Sequence, residues 1–404
     1  MEGPAYDHPV RLTCADDLER SRLTVFFRLV LAIPHFLWLF LWAVVTLFAA
    51  VLNWFVTLFS AKSPDGLHAF ITRFVRYELH VYAYVSLTAN PYPRFGGRPG
   101  TYPIDAEIAP AQPQNRWKTG FRLILAIPAI LLGATLSGFG GGNQGGGGFR
   151  ANPAVLWAGA FLGWFAILAT GRMPRQLREA NLYALRFNAQ SSGYLLLLTE
   201  RYPDATPTAP PVSEALGPHP IAVSLNDDRR RSRLAVFFRL LLALPHFVWW
   251  TLWAIVAVLA AIVGWFVTLF TGALPDALHR FLGAFLRYST HLSGWFFLIA
   301  DPYPGFTGKP HEYPFDLRID PPASQNRWKT GFRLILAIPA FVMGSALGSL
   351  LCVAALLGWF ASLFTARMPR DLRDAGAYAL RYSAQMYGYA LLLTERYPDA
   401  TPGI

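Results

Sequence analysis

The sequence predicts an all-α membrane protein of four repeats, each a short strand, a hydrophobic helical hairpin and an interfacial amphipathic helix, in two pseudo-symmetric halves with a small cytoplasmic β element. Three observations carry that reading. Of the 404 residues 54% are hydrophobic and 15% charged, which moves the chain from a soluble class toward a membrane one. Uncharged runs such as Leu240 to Pro275 and Leu334 to Ala366 are longer than the roughly 20 apolar residues that span a bilayer. One register is also written four times: Arg28, Pro34, Trp54, Pro64, Arg76 and Pro93 recur as Arg122, Pro128, Trp164, Pro174, Arg186 and Pro203. They recur again as Arg239, Pro245, Trp265, Pro275, Arg287 and Pro304, and as Arg333, Pro339, Trp359, Pro369, Arg381 and Pro398. Such self-similarity sets the architecture before any residue-level argument.

Each repeat begins with alternation in the period of a half-buried strand: Val10, Leu12 and Cys14; Ile104, Ala106 and Ile108; Ile221, Val223 and Leu225; Phe315, Leu317 and Ile319. Four such strands can form one small sheet. The apolar segment comes next. As a single helix Leu23 to Phe59 would be about 55 Å long against a hydrocarbon core of about 30 Å, so a hairpin is expected. The second copy supports it, because about 16 extra Gly-rich residues stand between Leu136 and Ala154, and a lipid-facing helix cannot contain them. Among the charged residues Arg150 alone falls at such a tip. The arginine excess between hairpins then places both termini on the cytoplasmic side of an inner or plasma membrane crossed several times. The residues before Leu23 are charged, so no cleavable leader is expected.

A proline opens the next helix. In the first copy Asp65, His68, Thr72, Arg76 and His80 alternate with Leu67, Phe70, Ile71, Phe74 and Val75, a polar and an apolar stripe suited to the membrane interface. The halves are 1–203, with repeats at about 8–95 and 102–203, and 219–404, with repeats at about 219–306 and 313–398. A Pro-rich linker, 204–218, joins them. Odd copies share His35, His68 and His80 with His246, His279 and His291; even copies share Gln114-Asn115-Arg116-Trp117 with Gln325-Asn326-Arg327-Trp328. That pattern is what a duplicated two-repeat protein leaves.

Phe238-Arg239, Leu242-Ala243-Leu244-Pro245-His246, Gly264-Trp265-Phe266, Pro275, Leu286-Arg287-Tyr288 and Tyr303-Pro304 together resemble the bacterial integral membrane family called domain of unknown function 4389. The resemblance covers most of the chain and implies a membrane protein. It implies no activity, substrate or catalytic residue. Asn53 departs from the pattern, standing where Gly163, Gly264 and Gly358 stand elsewhere, which questions close packing at that point.

No catalytic, metal or cofactor set is expected. Cys14 and Cys352 have no partner at ligand spacing, and His68 and His80 are turned about 120° apart on a helix. The Gly-rich run from Gly138 to Gly148 lacks the Lys and Ser or Thr of a phosphate loop. No nucleic-acid module is present. The chain therefore reads as a non-enzymatic membrane scaffold or lipid-organising protein, with a transporter or channel for a small molecule or lipid as the alternative. Repeats favour transport, whereas uncharged hairpin cores lack the ionisable groups that mark a pathway. Membrane lipids, anionic ones above all, are the expected partners. The arginines kept in all copies, Arg28, Arg122, Arg239 and Arg333 at the hairpin start and Arg76, Arg186, Arg287 and Arg381 in the following helix, are the candidate headgroup ligands.

Overall fold

After Arg28 the chain carries neither charge nor glycine until Ser60, and its one proline, Pro34, falls in the second turn. Nothing reverses it, and it forms one unbroken helix of 33 residues. The computed structural model describes residues 8–138, 153–208 and 218–403, which fall into two compact halves, Met1–Asp204 and Ala205–Ile404. The first half contains β1 (Val10–Cys14), α1 (Arg22–Phe26), α2 (Arg28–Ser60), α3 (Asp65–Val85), β2 (Ile104–Ile108), α4 (Arg116–Gly120), α5 (Arg122–Leu136), α6 (Val155–Thr170) and α7 (Arg175–Leu195). The second contains β3 (Ile221–Leu225), α8 (Arg233–Phe237), α9 (Arg239–Thr271), α10 (Asp276–Phe296), β4 (Phe315–Ile319), α11 (Arg327–Gly331), α12 (Arg333–Thr365) and α13 (Arg370–Ala390).

The expected hairpins are therefore corrected. In three repeats the apolar segment is a single helix, α2, α9 or α12, of 33 residues, about 50 Å long. A backbone reversal in an apolar run would expose unpaired peptide groups, and a continuous helix satisfies them all. In the second repeat the segment is interrupted. There α5 and α6 both pack along α7 and touch each other only sparingly, and Trp157 Nε1 donates to the Ser137 carbonyl across the break (3.1 Å). They are two pieces corresponding to the one helix of the other repeats. Most of the Gly-rich run, with Arg150 and the expected tip, lies outside the described residues, as does most of the Pro-rich linker.

The strands also pair differently from the single sheet expected. Two separate antiparallel pairs form, β1 with β2 and β3 with β4. The register Val10↔Ile108, Leu12↔Ala106, Cys14↔Ile104 exchanges equivalent strands of neighbouring repeats. The ends of the long helices are exchanged as well. Glu19, before α1, bridges Arg172, after α6, while Lys62, after α2, bridges Pro113, before α4; Arg230 with Arg367 and Ala273 with Ser324 repeat this in the second half. Trp54, Trp265 and Trp359 fix the exchange by donating from a long helix to Thr119, Thr330 and Val236 of the other repeat (2.8, 2.8 and 3.0 Å). Each half is thus a reciprocal pair of repeats.

The helices expected at the interface are instead the core. In α3 one face, Phe70, Phe74, Tyr77 and Tyr84, meets Trp42, His35 and Arg28 of α2. A second face turns Arg76 and His80 to β2, and a third turns Glu78 and Ser86 to α7. With neighbours on three sides, its polar stripe reads inward. On α3 the residues that reach the strand lie opposite Glu78, which reaches α7, and the face that meets α2 lies between them.

Asn53 shows how the register tolerates a departure. A Cβ at Gly163, Gly264 or Gly358 would stand 2.7, 2.8 or 2.4 Å from Met173 Sδ, Leu274 Cδ1 or Met368 Sδ. In the first repeat the large partner is replaced by Ser63, whose hydroxyl donates to Asn53 Oδ1 (2.6 Å) while Asn53 Nδ2 donates to the Leu196 carbonyl (3.4 Å). Volume moves from one side of the contact to the other, and close packing is kept.

Candidate functional site

The eight arginines singled out from the sequence do not stand outward. Arg28, Arg122, Arg239 and Arg333 are buried (2, 1, 3 and 1% exposed) and end the core helices. Arg28 donates to the carbonyls of Tyr84 and Ala89 (2.9 and 2.8 Å), Arg122 to Tyr194 and Thr199 (3.1 and 2.9 Å), and Arg333 to Tyr389 and Thr394 (2.7 and 2.9 Å). Arg239 donates to the Trp295 carbonyl. A helix end leaves carbonyls without partners, and a cation there also meets the negative end of the helix dipole. Each guanidinium lies over the aromatic ring of the same turn, Tyr84, Tyr194, Trp295 or Tyr389, at 4.3, 4.2, 5.0 and 4.7 Å. The other terminal nitrogen of each finds Asn90 (3.1 Å), Gln114 (2.5 Å), Asp301 (2.9 Å) or Gln325 (2.7 Å). The acceptors in the structure are the chain's own carbonyls and side-chain amides and, for Arg239, the Asp301 carboxylate.

The second set is also turned inward. Arg76 donates to the Ala106 and Gly97 carbonyls (3.1 and 3.4 Å), Arg287 to Leu317 and Gly308 (2.9 and 3.2 Å), and Arg381 to Asp399 (3.2 Å) and Thr401. Arg186 lies over Tyr183 (5.5 Å). Repetition at fixed register signalled that these positions are constrained; it did not say by what.

Histidines complete the buried polar layer. His35 and His246 bond the hydroxyls of Tyr77 and Tyr288 (2.7 and 2.8 Å) and stack on Phe95 and Phe306. His80 and His291 bond Asp105 and Asp316 of the strands (3.0 and 2.7 Å). Burial works to raise the Asp105 and Asp316 carboxyls, but the histidines and the N–H groups of Gly100 and Ala106, or His311 and Leu317, outweigh it and hold both below the ordinary value. Among the described residues no cluster of His, Cys, Asp or Glu is arranged to hold a metal ion.

Sequence reasoning did not find the groups that hold the loop after each core helix. Leu87, Leu197, Leu298 and Leu392 each adopt a left-handed backbone, with φ of 63 to 65°, costly for a branched residue. The carbonyl of each accepts from a buried side chain: Arg20 (3.1 Å), Gln114 (2.6 Å), Arg231 (2.9 Å) and Gln325 (2.6 Å). Arg20 and Arg231 are themselves held by Asp16 and Asp227 (2.6 and 2.8 Å). The shared Gln-Asn motif of the even repeats was the available signal, since Gln114 does there what Arg20 does in an odd repeat, and Asn115 caps α4.

With its polar groups directed inward, α2 has an apolar outward surface. On α2 the buried set includes Arg28, His35, Thr46, Asn53 and Thr57, while Leu29, Val30, Ile33, Leu37, Phe40, Leu41, Val44, Leu47, Phe48, Val51, Leu52, Phe55 and Phe59 are exposed. This inverts the pattern of a water-facing helix. The three longest helices, α2, α9 and α12, are long and apolar enough to cross a membrane. The family described as Domain of unknown function (DUF4389) matches residues 22–96, 151–205, 233–307 and 327–400. The chain belongs to this family. Each DUF4389 match closes just past the Arg-capped end of a core helix, and the second begins beyond α5, where the Gly-rich insertion separates the two helical pieces. A search of curated proteins and of solved structures gives no match.

Proposed function

We propose that this DUF4389 protein is a non-enzymatic membrane scaffold whose long helices lie along one leaflet and organise its lipids. One observation supports this above others: the exposed face of α2 is apolar from end to end, yet polar loops flank it at several depths. Trp38 Nε1 donates to the Phe95 carbonyl (3.1 Å), between the exposed Arg94 and Arg98. Near the other end Trp54 bonds Thr119 of α4, beside exposed Arg116 and Lys118. A helix crossing the bilayer would carry the first of these loops into hydrocarbon, and about 50 Å of helix requires a tilt beyond the roughly 40° seen for spanning helices. Lying in plane, it sinks its apolar face and keeps the loops at headgroup level. Trp117 and Trp328, 77 and 78% exposed, suit that boundary, and a net charge of +11 favours anionic lipid.

The test uses a chain with Cys14 and Cys352 replaced by serine and a single cysteine at Arg22 or at Lys62, the two ends of the first long helix. Both are expected to react with an impermeant maleimide from the same side of sealed vesicles. Labelling from opposite sides would replace the in-plane reading with a spanning one. Reconstitution into vesicles of phosphatidylethanolamine and phosphatidylglycerol is expected to narrow their diameter in cryo-microscopy images, and unchanged vesicles would remove the scaffold role.

A further inference from the structure

The two halves differ in the buried seam where α3 meets α7, beside the break between α5 and α6. Glu78, 9% exposed, accepts a hydrogen bond from Ser192 (3.2 Å). One turn before Ser192 on α7, Asn188 accepts from Ser137 (3.2 Å), the residue that ends α5. The Ser137 carbonyl receives Trp157 of α6, and Trp157 meets Tyr82 edge to face at 6.3 Å. Tyr82 lies one turn from Glu78 on α3, so the circuit closes. The second half has Ser289 and Tyr387 at the matching positions. Ser289 accepts from Trp250 instead (2.9 Å), and Tyr387 is 50% exposed.

Among the described residues no cation balances this carboxyl. Arg76 and His80 occupy the opposed face of α3, against Asp105 of β2; Arg28 meets its C-terminal end; Arg186 lies over Tyr183 on the far side of α7; Arg178 reaches the Asp16 carbonyl and Arg175 pairs with Glu179. Tyr82 is the titratable neighbour, whose pKa burial raises, with the carboxylate adding to it. An ionised carboxylate buried with a single hydroxyl donor is unfavourable, whereas the protonated acid is a neutral group of the same shape.

We propose that Glu78 is a proton-binding site that couples protonation to the α3–α7 contact at the helix break. The carboxylate takes one proton from water to become a neutral acid. In that form it packs in the seam; on losing the proton it draws water in and loosens α3 from α7. Burial, opposed by the Ser192 hydrogen bond, pushes its pKa up to about 7, so the exchange falls in the neutral range.

The full-length protein in lipid nanodiscs, titrated by infrared difference spectroscopy, tests this directly. A protonated-carboxyl band is expected to vanish as pH rises through about 7 and to be missing in Glu78→Gln. The same band in Glu78→Gln, or a midpoint in the ordinary glutamate range, would overturn the site. Ser192→Ala, which removes the one donor to the carboxylate, is expected to move the midpoint upward, and an unmoved midpoint would equally overturn it. Should Glu78→Gln misfold, Glu78→Ser copies the residue the second half uses. Hydrogen exchange, corrected for its intrinsic pH dependence, is expected to quicken in α3 and α7 above the midpoint in the wild type and not in either Glu78 variant. Equal exchange in all three would leave a titrating glutamate and overturn its coupling to the helix contact.

Discussion

A single guanidinium closes each repeat, and its removal should be felt throughout that repeat. Replacing Arg333 by Leu removes the side-chain donor to the Tyr389 and Thr394 carbonyls and to Gln325 Oε1, at a cost of about 3 kcal/mol. Thermal unfolding in mild detergent is expected to show that loss, and no comparable loss for the exposed Arg318. A lipid ligand would instead predict a stable variant with less bound lipid. Packing sets a second prediction. Gly358→Ala brings a Cβ to 2.4 Å from Met368 Sδ and is expected to destabilise by about 1–3 kcal/mol, as overpacking does. Pairing Gly358→Asn with Met368→Ser, the combination used by Asn53 and Ser63, is expected to recover most of it, and additive damage in the double variant would contradict the exchange of volume.

Among elements, the joint between α10 and β4 carries a pH dependence of definite sign. Burial holds the His291 imidazole below its ordinary value, although Asp316 works the other way. A base whose pKa is lower folded than unfolded stabilises the fold above its unfolded value, near 6.5, and that contribution is lost as pH falls through the folded one. Asp316, held below its ordinary value, adds a further loss in stronger acid. The melting temperature of the second half is therefore expected to fall between neutral pH and about pH 5. Gln occupies the corresponding place in the even repeats, at Gln190 and Gln385. His291→Gln should accordingly flatten the slope, and an unchanged slope would assign it to another group.

For the whole molecule, each half owns its strand pair, its long helices and its core. A fragment spanning 205–404 is expected to enter the membrane fraction and to melt cooperatively with the helical content of its share of the intact protein. A fragment that aggregates in every detergent tested, or melts without a transition, would show that the halves depend on one another.

Period and register determined much by themselves. Four copies, their strands, the core helix opened by proline and the apolar character of the long segments follow from residue spacing, because local periodicity survives whatever the chain packs against. Two decisions lay outside that reach. Whether Arg28–Ser60 is one helix or a hairpin was judged against membrane thickness, whereas a run with no charge or glycine after Arg28 has nothing to reverse it and keeps its peptide groups paired as one helix. Whether Arg28, Arg76 and His80 face lipid or protein depended on what covers α3. Its stripes specify faces but not neighbours; β2 and α7 arrive from the next repeat, and only that exchange turns a helix suited to an interface into a core helix whose charges end on carbonyls.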